Sequence, residues 1–285
     1  MFAQMMGMME KTKDKREPIY ERASFGWPGG KAKSVENIVP HLPYRNSYAE
    51  PFGGSGVILL SRRPCNLEIF NDKYAGVCAF YRVIRDRAKM DRLLDRLNLC
   101  LHSREEFVWS RDTWKDCEDE VERAARWWYM VTCSFANLGR SFGRAVSGKS
   151  QFGGKLKTNL RFFSECNIRL QKVQIENLDW REILDDYDSK DMVWYLDPPY
   201  YQTTKGQYEC ELTPADHEEL LERSQKLKGF VALSGYDNPL YSSPRFKWSR
   251  KLQWKKYVTT TPLVGSESVY EQQRGYQLET LWIKE

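Results

Sequence analysis

The stretch SYAEPFGGSGVILLSRRPCNLEIFND, residues 47–72, restricts the possible folds more than any other part of the chain. An apolar strand end, YAEPF, runs into a glycine-rich bend, a helical run VILLSR follows, and a second strand, NLEIF, ends in Asn-Asp. The next segment, YAGVCAFYRVIRD, repeats its apolar residues at helical spacing. Strand, turn, helix, strand, helix is the order in which crossovers join parallel strands. Residues 161–285 return to this alternation: VQIENLDW and DMVWYLDPPYY are strand-like, GFVALSGY is a strand, and QLETLWIKE is a closing strand. Between them TPADHEELLERSQKLKG is a helix with Thr213 as N-cap, Pro214 in the first turn and Asp216 three residues on.

Residues 87–160 follow another pattern. DRLLDRLNLCL and VERAARWWYMVTCSFANL are helical, with Trp127, Trp128, Met130 and Val131 on a packed face. SFGRAVSGKSQFGGKLKTN then forms a basic loop rich in Gly, Ser, Lys and Arg. The expectation is an α/β sheet domain built from residues 18–86 and 161–285, interrupted by a helical lobe at 87–160 and preceded by a mobile arm, 1–17.

The chain has 285 residues, 41% of them hydrophobic, enough to build a core for such a sheet. No apolar run approaches the roughly 20 residues that span a bilayer, and the Met-rich beginning lacks a signal-peptide cleavage pattern. Seven scattered cysteines form no CxxC pair, and with three histidines they give no zinc spacing, so no metal is expected. Unpaired thiols suit a reducing cytosol, and the expected location is cytoplasmic. The net charge of +5 is compatible with a polyanionic partner without requiring one.

Three motifs carry chemistry. EPFGGSG (50–56) places glycines at a strand-to-helix bend, where the backbone can approach a ligand closely. Asp72, at the end of the next strand, is placed to accept hydrogen bonds from ribose hydroxyls, although an Asp after a strand is also an ordinary turn residue. FGWPGGKAK (25–33) offers a close turn at Gly29 and Gly30, a flat wall in Trp27 and a cation in Lys31, and taken alone it is an ordinary Pro-Gly turn. WYLDPPYY (194–201) is the most specific of the three. Pro198 and Pro199 fix the backbone and leave carbonyls without a competing amide. Asp197 and such a carbonyl can accept both hydrogens of a planar amino group, which frees the nitrogen lone pair. Tyr200 provides a face on which a base can stack.

WPGGK, EPFGGSG, ND, a helical insertion and LDPPY, in that order, resemble the Dam-type (D12 class) DNA adenine methyltransferases over nearly the whole chain after residue 20. The resemblance implies a Rossmann-like mixed sheet of seven strands, S-adenosyl-L-methionine as methyl donor, double-stranded DNA as partner, and no obligatory protein partner. It places Trp27, Gly29, Gly30 and Lys31 beside the cofactor and catalytic pocket. Glu50 and Pro51 begin the cofactor strand end, Phe52, Gly54 and Gly56 flank the methionine part, and Asp72 holds the ribose. Asp197, Pro198, Pro199 and Tyr200 hold a flipped adenine, with Asp197 also bordering the cofactor. In the lobe, now a target-recognition lobe, Arg140, Arg144, Lys149, Lys155 and Lys157 are candidate DNA contacts. Phe142 and Phe152 are candidate wedges, with core packing as the other use for either ring. GATC-reading members carry an Asn- and Gly-rich loop where this chain has SFANLGRSFGR, so the resemblance does not extend to that recognition sequence.

Other targets share this chemistry: cytosine at its exocyclic amine, or adenine in RNA. A silent DNA-binding module would not need Lys31, Asp72, Asp197 and Tyr200 together. A nicotinamide-dependent enzyme would be expected to carry GxGxxG, which is absent.

Overall fold

The structure, a computed structural model, describes residues 22–144, 152–201, 210–258 and 275–285. Its seven strands are β1 (Ser47–Glu50), β2 (Leu67–Asn71), β3 (Val173–Glu176), β4 (Met192–Leu196), β5 (Phe230–Tyr236), β6 (Arg250–Val258) and β7 (Gly275–Lys284). They form one sheet in the order β3-β2-β1-β4-β5-β7-β6. β7 runs antiparallel to both of its neighbours, and the other pairings are parallel. The expected mixed seven-stranded α/β sheet is what the chain forms.

Strand alternation divides the core into two layers. Tyr48, Phe70, Val193 and Tyr195 face one cluster, and Ala49, Ile69, Trp194 and Leu196 face the other. The first cluster is covered by α1 (Val35–Ile38), α2 (Val57–Ser61), α3 (Ala75–Arg85), α4 (Arg87–Asn98), α5 (Arg104–Thr113), α6 (Glu120–Cys133) and α7 (Phe152–Leu170). The second is covered by α8 (Trp180–Tyr187) and α9 (Pro214–Lys226). Trp127, Trp128, Met130 and Val131 are buried on α6, as their spacing predicts. They share one continuous cluster with Tyr48 and Val57, so α4–α6 pack on the core of the sheet itself.

Three local expectations are corrected. VQIENLDW is a strand only to Glu176, because Asp179 and Glu182 form a capping box that starts α8 at Trp180. The helix through WWYMVTC stops at Cys133 because Ser134 turns extended, at φ −84° and ψ 155°; Ala136 and Asn137 beyond it take left-handed φ of 53° and 59°. Part of the expected basic loop, from Phe152 onward, is the first half of α7, and residues 145–151 lie outside the described residues. The N-cap of α9 is as expected, with Thr213 Oγ1 accepting from the Asp216 amide at 3.1 Å and Asp216 accepting from the Thr213 amide at 2.8 Å.

Candidate active site

The strand order reverses between β1 and β4, and in sheets of this kind the crevice at the carboxyl ends of such strands receives ligands. Here a cavity of about 660 Å³ opens at that point, within the ~300–1,000 Å³ typical of small-molecule sites. Glu50 ends β1 and Asp197 follows β4, so two acids from adjacent strands meet at one rim.

One half of the cavity is built around the glycine bend. Gly54 and Gly56 take φ of 52° and 63°, and the Gly53 amide donates to Asn71 O at 2.7 Å. A Cβ at Gly54 would lie 2.8 Å from Trp27 Cδ1, so the indole sits directly on the bend. Trp27 in turn stacks on Tyr74, with ring centroids 5.6 Å apart. Asp72 ties bend and turn together: its carboxylate accepts from the Gly54 amide at 2.7 Å and the Tyr74 amide at 2.8 Å. Burial pushes its carboxyl up to about 6, against the pull of those two amides. Glu50 is buried and accepts from Tyr48 Oη at 2.6 Å; burial pushes it up to about 8. Phe52 lies over Trp180 with centroids 6.1 Å apart. Aromatic walls, an acid after β2 and a glycine bend suit a nucleoside-like ligand.

The other half is built around the Asp-Pro-Pro-Tyr turn. Gly29, with φ of 72°, turns the chain so that the Gly30 amide donates to Trp27 O at 3.0 Å and Lys31 faces the turn. Lys31, only 3% exposed, donates to Asp197 Oδ2 at 2.7 Å and to Gly29 O at 2.8 Å. Burial alone would lower the ammonium, but the carboxylates of Asp197 and Glu279 outweigh it and hold Lys31 above its usual value. Asp197 is pushed up from the usual carboxylate range by burial, with Lys31 opposing. Its second oxygen, Oδ1, is buried without a hydrogen-bond partner among the described residues, in a residue that lines the cavity. A buried acceptor left open in this way is suited to a donor from a ligand. Tyr200 also lines the cavity, donates through its hydroxyl to Glu279, and carries Lys31 Nζ 4.8 Å from its ring centroid.

The structure thus brings Trp27, Gly29, Gly30, Lys31, Glu50, Phe52, Gly54, Asp72, Asp197, Pro198, Pro199 and Tyr200 to one cavity. Pro51 and Gly56 stand behind the lining: Pro51 O accepts from Asn71 Nδ2 at 2.8 Å, and Gly56 precedes α2. Of the lobe residues, Arg140 lies at the rim and Arg144 is exposed. Phe142 is packed: its ring centroid is 4.5 Å from that of His102 and 5.7 Å from that of Phe107, with Arg104 5.0 Å from it. Lys149 lies outside the described residues, as do the side chains of Phe152, Lys155 and Lys157.

Sequence reasoning missed Glu279 and Lys256, which surround the lysine from β7 and β6. The only available signal was a lone acid inside an otherwise apolar closing strand, QLETLWI. It also missed Phe135, 48% exposed at the base of a closed loop. In that loop the Phe135 amide donates to Ser141 O at 2.8 Å and the Gly139 amide to Ser134 Oγ at 2.8 Å.

In this sheet a glycine bend, an acid after β2 and an Asp-Pro-Pro-Tyr turn meet at one switch point, an arrangement that can hold a nucleoside-like ligand beside an acceptor for an amine. The chain belongs to the D12 class N6 adenine-specific DNA methyltransferases, whose family model matches residues 27–252. It is 29% identical over 209 residues to the type II methyltransferase M.MjaIII of Methanocaldococcus jannaschii, covering 63% of this chain and 69% of that one. It is 28% identical over 214 residues to the type II methyltransferase M1.LlaDCHI of Lactococcus lactis subsp. cremoris, covering 68% and 69%. A DNA N-6-adenine-methyltransferase of Escherichia phage P1 is 26% identical over 197 residues, which are 67% of this chain and 26% of the phage protein.

Proposed function

We propose that the chain methylates N6 of an adenine flipped out of double-stranded DNA, with S-adenosyl-L-methionine as donor. The observation that carries this is Asp197 in the cavity lining, with Oδ2 held by Lys31 and Oδ1 without a hydrogen-bond partner among the described residues. When bound, the cofactor supplies an electrophilic methyl on a sulfonium. Asp72 accepts its ribose hydroxyls, Trp27 and Phe52 border it, and the bend at Gly54 lets the backbone approach. Asp197 Oδ1 and the carbonyl of Pro198 accept the two amine hydrogens of adenine, which directs the nitrogen lone pair towards the methyl. Pro199 holds the turn rigid, and Tyr200 stacks on the base. No covalent enzyme intermediate is required; positioning and fixed charge do most of the work.

The lobe at 87–160 is the side that meets DNA, with Arg140 and Arg144 as cationic contacts from the described residues. With Phe142 packed, the exposed aromatic of the same loop is Phe135, and we assign it the space that the flipped base leaves.

The test is transfer of labelled methyl from S-adenosyl-L-methionine to unmethylated mixed-sequence duplex DNA, followed by digestion to nucleosides. Label in N6-methyladenine is expected. Label in N4-methylcytosine, or transfer only to RNA, would move the substrate and overturn the assignment.

A further inference from the structure

A buried carboxylate and a half-buried ammonium lie behind the reacting groups. Glu279 is 0% exposed on β7, opposite Tyr236 of β5 and Trp254 of β6. Its Oε1 accepts from the Tyr200 hydroxyl and lies 3.6 Å from Lys31 Nζ, while its Oε2 lies 3.3 Å from Lys256 Nζ. Lys256 also reaches Gly30 O at 3.5 Å, in the turn that presents Lys31. Lys31, Asp197 and Tyr200 line the cavity, and Glu279 and Lys256 do not.

The arrangement has a competition built into it. Lys31 stands between two carboxylates, 2.7 Å from Asp197 and 3.6 Å from Glu279. Between side chains this buried, charges attract more strongly than in water, so a second carboxylate draws the ammonium unless its own charge is met elsewhere. Lys256 meets it on the far oxygen. Two ammoniums and two carboxylates then balance, and Lys31 stays on Asp197.

We propose that Lys256 and Glu279 are positioning residues for methyl transfer: as a charge-balanced pair they keep Lys31 on Asp197 and fix the phenol of Tyr200. The proposal rests on Asp197 being the acceptor of the target amine. Removing the cation of Lys256 alone leaves Glu279 in excess, pulls Lys31 away from Asp197 and favours a protonated Asp197, a weaker acceptor for the amine. Removing the charge of Glu279 as well restores the balance and leaves the Lys31–Asp197 pair undisturbed. Glutamine at 279 still offers Tyr200 an acceptor.

The experiment measures single-turnover methylation of duplex DNA by the wild type, Lys256→Met and Lys256→Met/Glu279→Gln, with cofactor and DNA affinities measured alongside. Lys256→Met is expected to slow the chemical step about 10-fold or more while both affinities stay within about 3-fold, the pattern of a group that acts on chemistry and not on binding. The double variant is expected to recover to within about 3-fold of wild type, a coupling that independent sites do not show. A Lys256→Met enzyme at the wild-type rate, or a double variant no faster than the single, would overturn the proposal. If Lys256→Met does not fold, Lys256→Gln, which removes the charge and keeps a polar side chain, is judged by the same criterion. A wild type that transfers no methyl to DNA overturns the amine-acceptor assignment, and the role of the pair with it.

Discussion

Asp72 holds the fold locally and, on the proposed function, would also serve the ligand. Its oxygens already accept two backbone amides, so it holds the glycine bend against the turn after β2 whether or not anything is bound. Because burial lifts its carboxyl to about 6, its ionisation falls within an accessible range. The charged form is the stronger acceptor for ribose hydroxyls, so cofactor affinity should fall as pH drops through about 6. Calorimetric titration between pH 5 and 8 checks this, and Asp72→Asn should flatten the dependence while binding more weakly throughout. The sign for folding is opposite. A carboxyl raised in the folded state takes up protons on folding, so its contribution to stability is most favourable at low pH and is lost as pH rises through that value. Glu50, lifted to about 8, acts in the same direction over a higher range.

At the scale of elements, the buried pair of Arg169 on α7 and Glu68 on β2 fastens the helix that closes the lobe to the sheet. Both side chains are 0% exposed, and Arg169 donates to both oxygens of Glu68, at 2.5 and 2.7 Å. Arg169→Met leaves a carboxylate buried without its cation and should cost about 3–5 kcal/mol in denaturant unfolding. The double change Arg169→Met/Glu68→Gln should recover most of that loss. The bend is a second element-scale test: alanine at Gly54 must adopt φ of 52° and place its Cβ 2.8 Å from Trp27. A stability loss of about 1–2 kcal/mol from the left-handed conformation is expected, with cofactor affinity reduced further than the affinity for DNA.

The helices and strands with strong punctuation were legible in the sequence: α9 from Thr213, β4 from its apolar run before two prolines, β2 from the acid that ends it. Elements fixed by tertiary contacts were not. Nothing local announces that α6 stops at Cys133, because the stop is the extended Ser134 at the base of a loop closed by backbone hydrogen bonds from Phe135 to Ser141 and from Gly143 to Cys133. The same division applies to the site. Trp27, Lys31, Asp72, Asp197 and Tyr200 stand in compact motifs, whereas Lys256 and Glu279 come from strands with no motif of their own.

For the molecule as a whole, the cavity is lined by the sheet ends, which supply fixed charge, and by residues between Arg111 and Arg140, so on the proposed function binding of cofactor and of DNA should be separable. Phe135→Ala removes an exposed ring without touching the glycine bend or the Lys31–Asp197 pair, and should lower methylation of duplex DNA about 10-fold, of the order of one lost base stack. Cofactor affinity should not change. The loss should be smaller on a duplex in which the target adenine is mispaired, because less stacking must then be replaced.

The most direct test of the central claim compares Asp197→Ala with the wild type in single-turnover methylation of duplex DNA, with S-adenosyl-L-methionine binding measured on the same samples. If Asp197 Oδ1 accepts the amine, the variant binds cofactor measurably and loses transfer by about a thousand-fold or more, as when a preorganised transition-state contact is removed. A variant that methylates at a rate close to wild type would contradict the account.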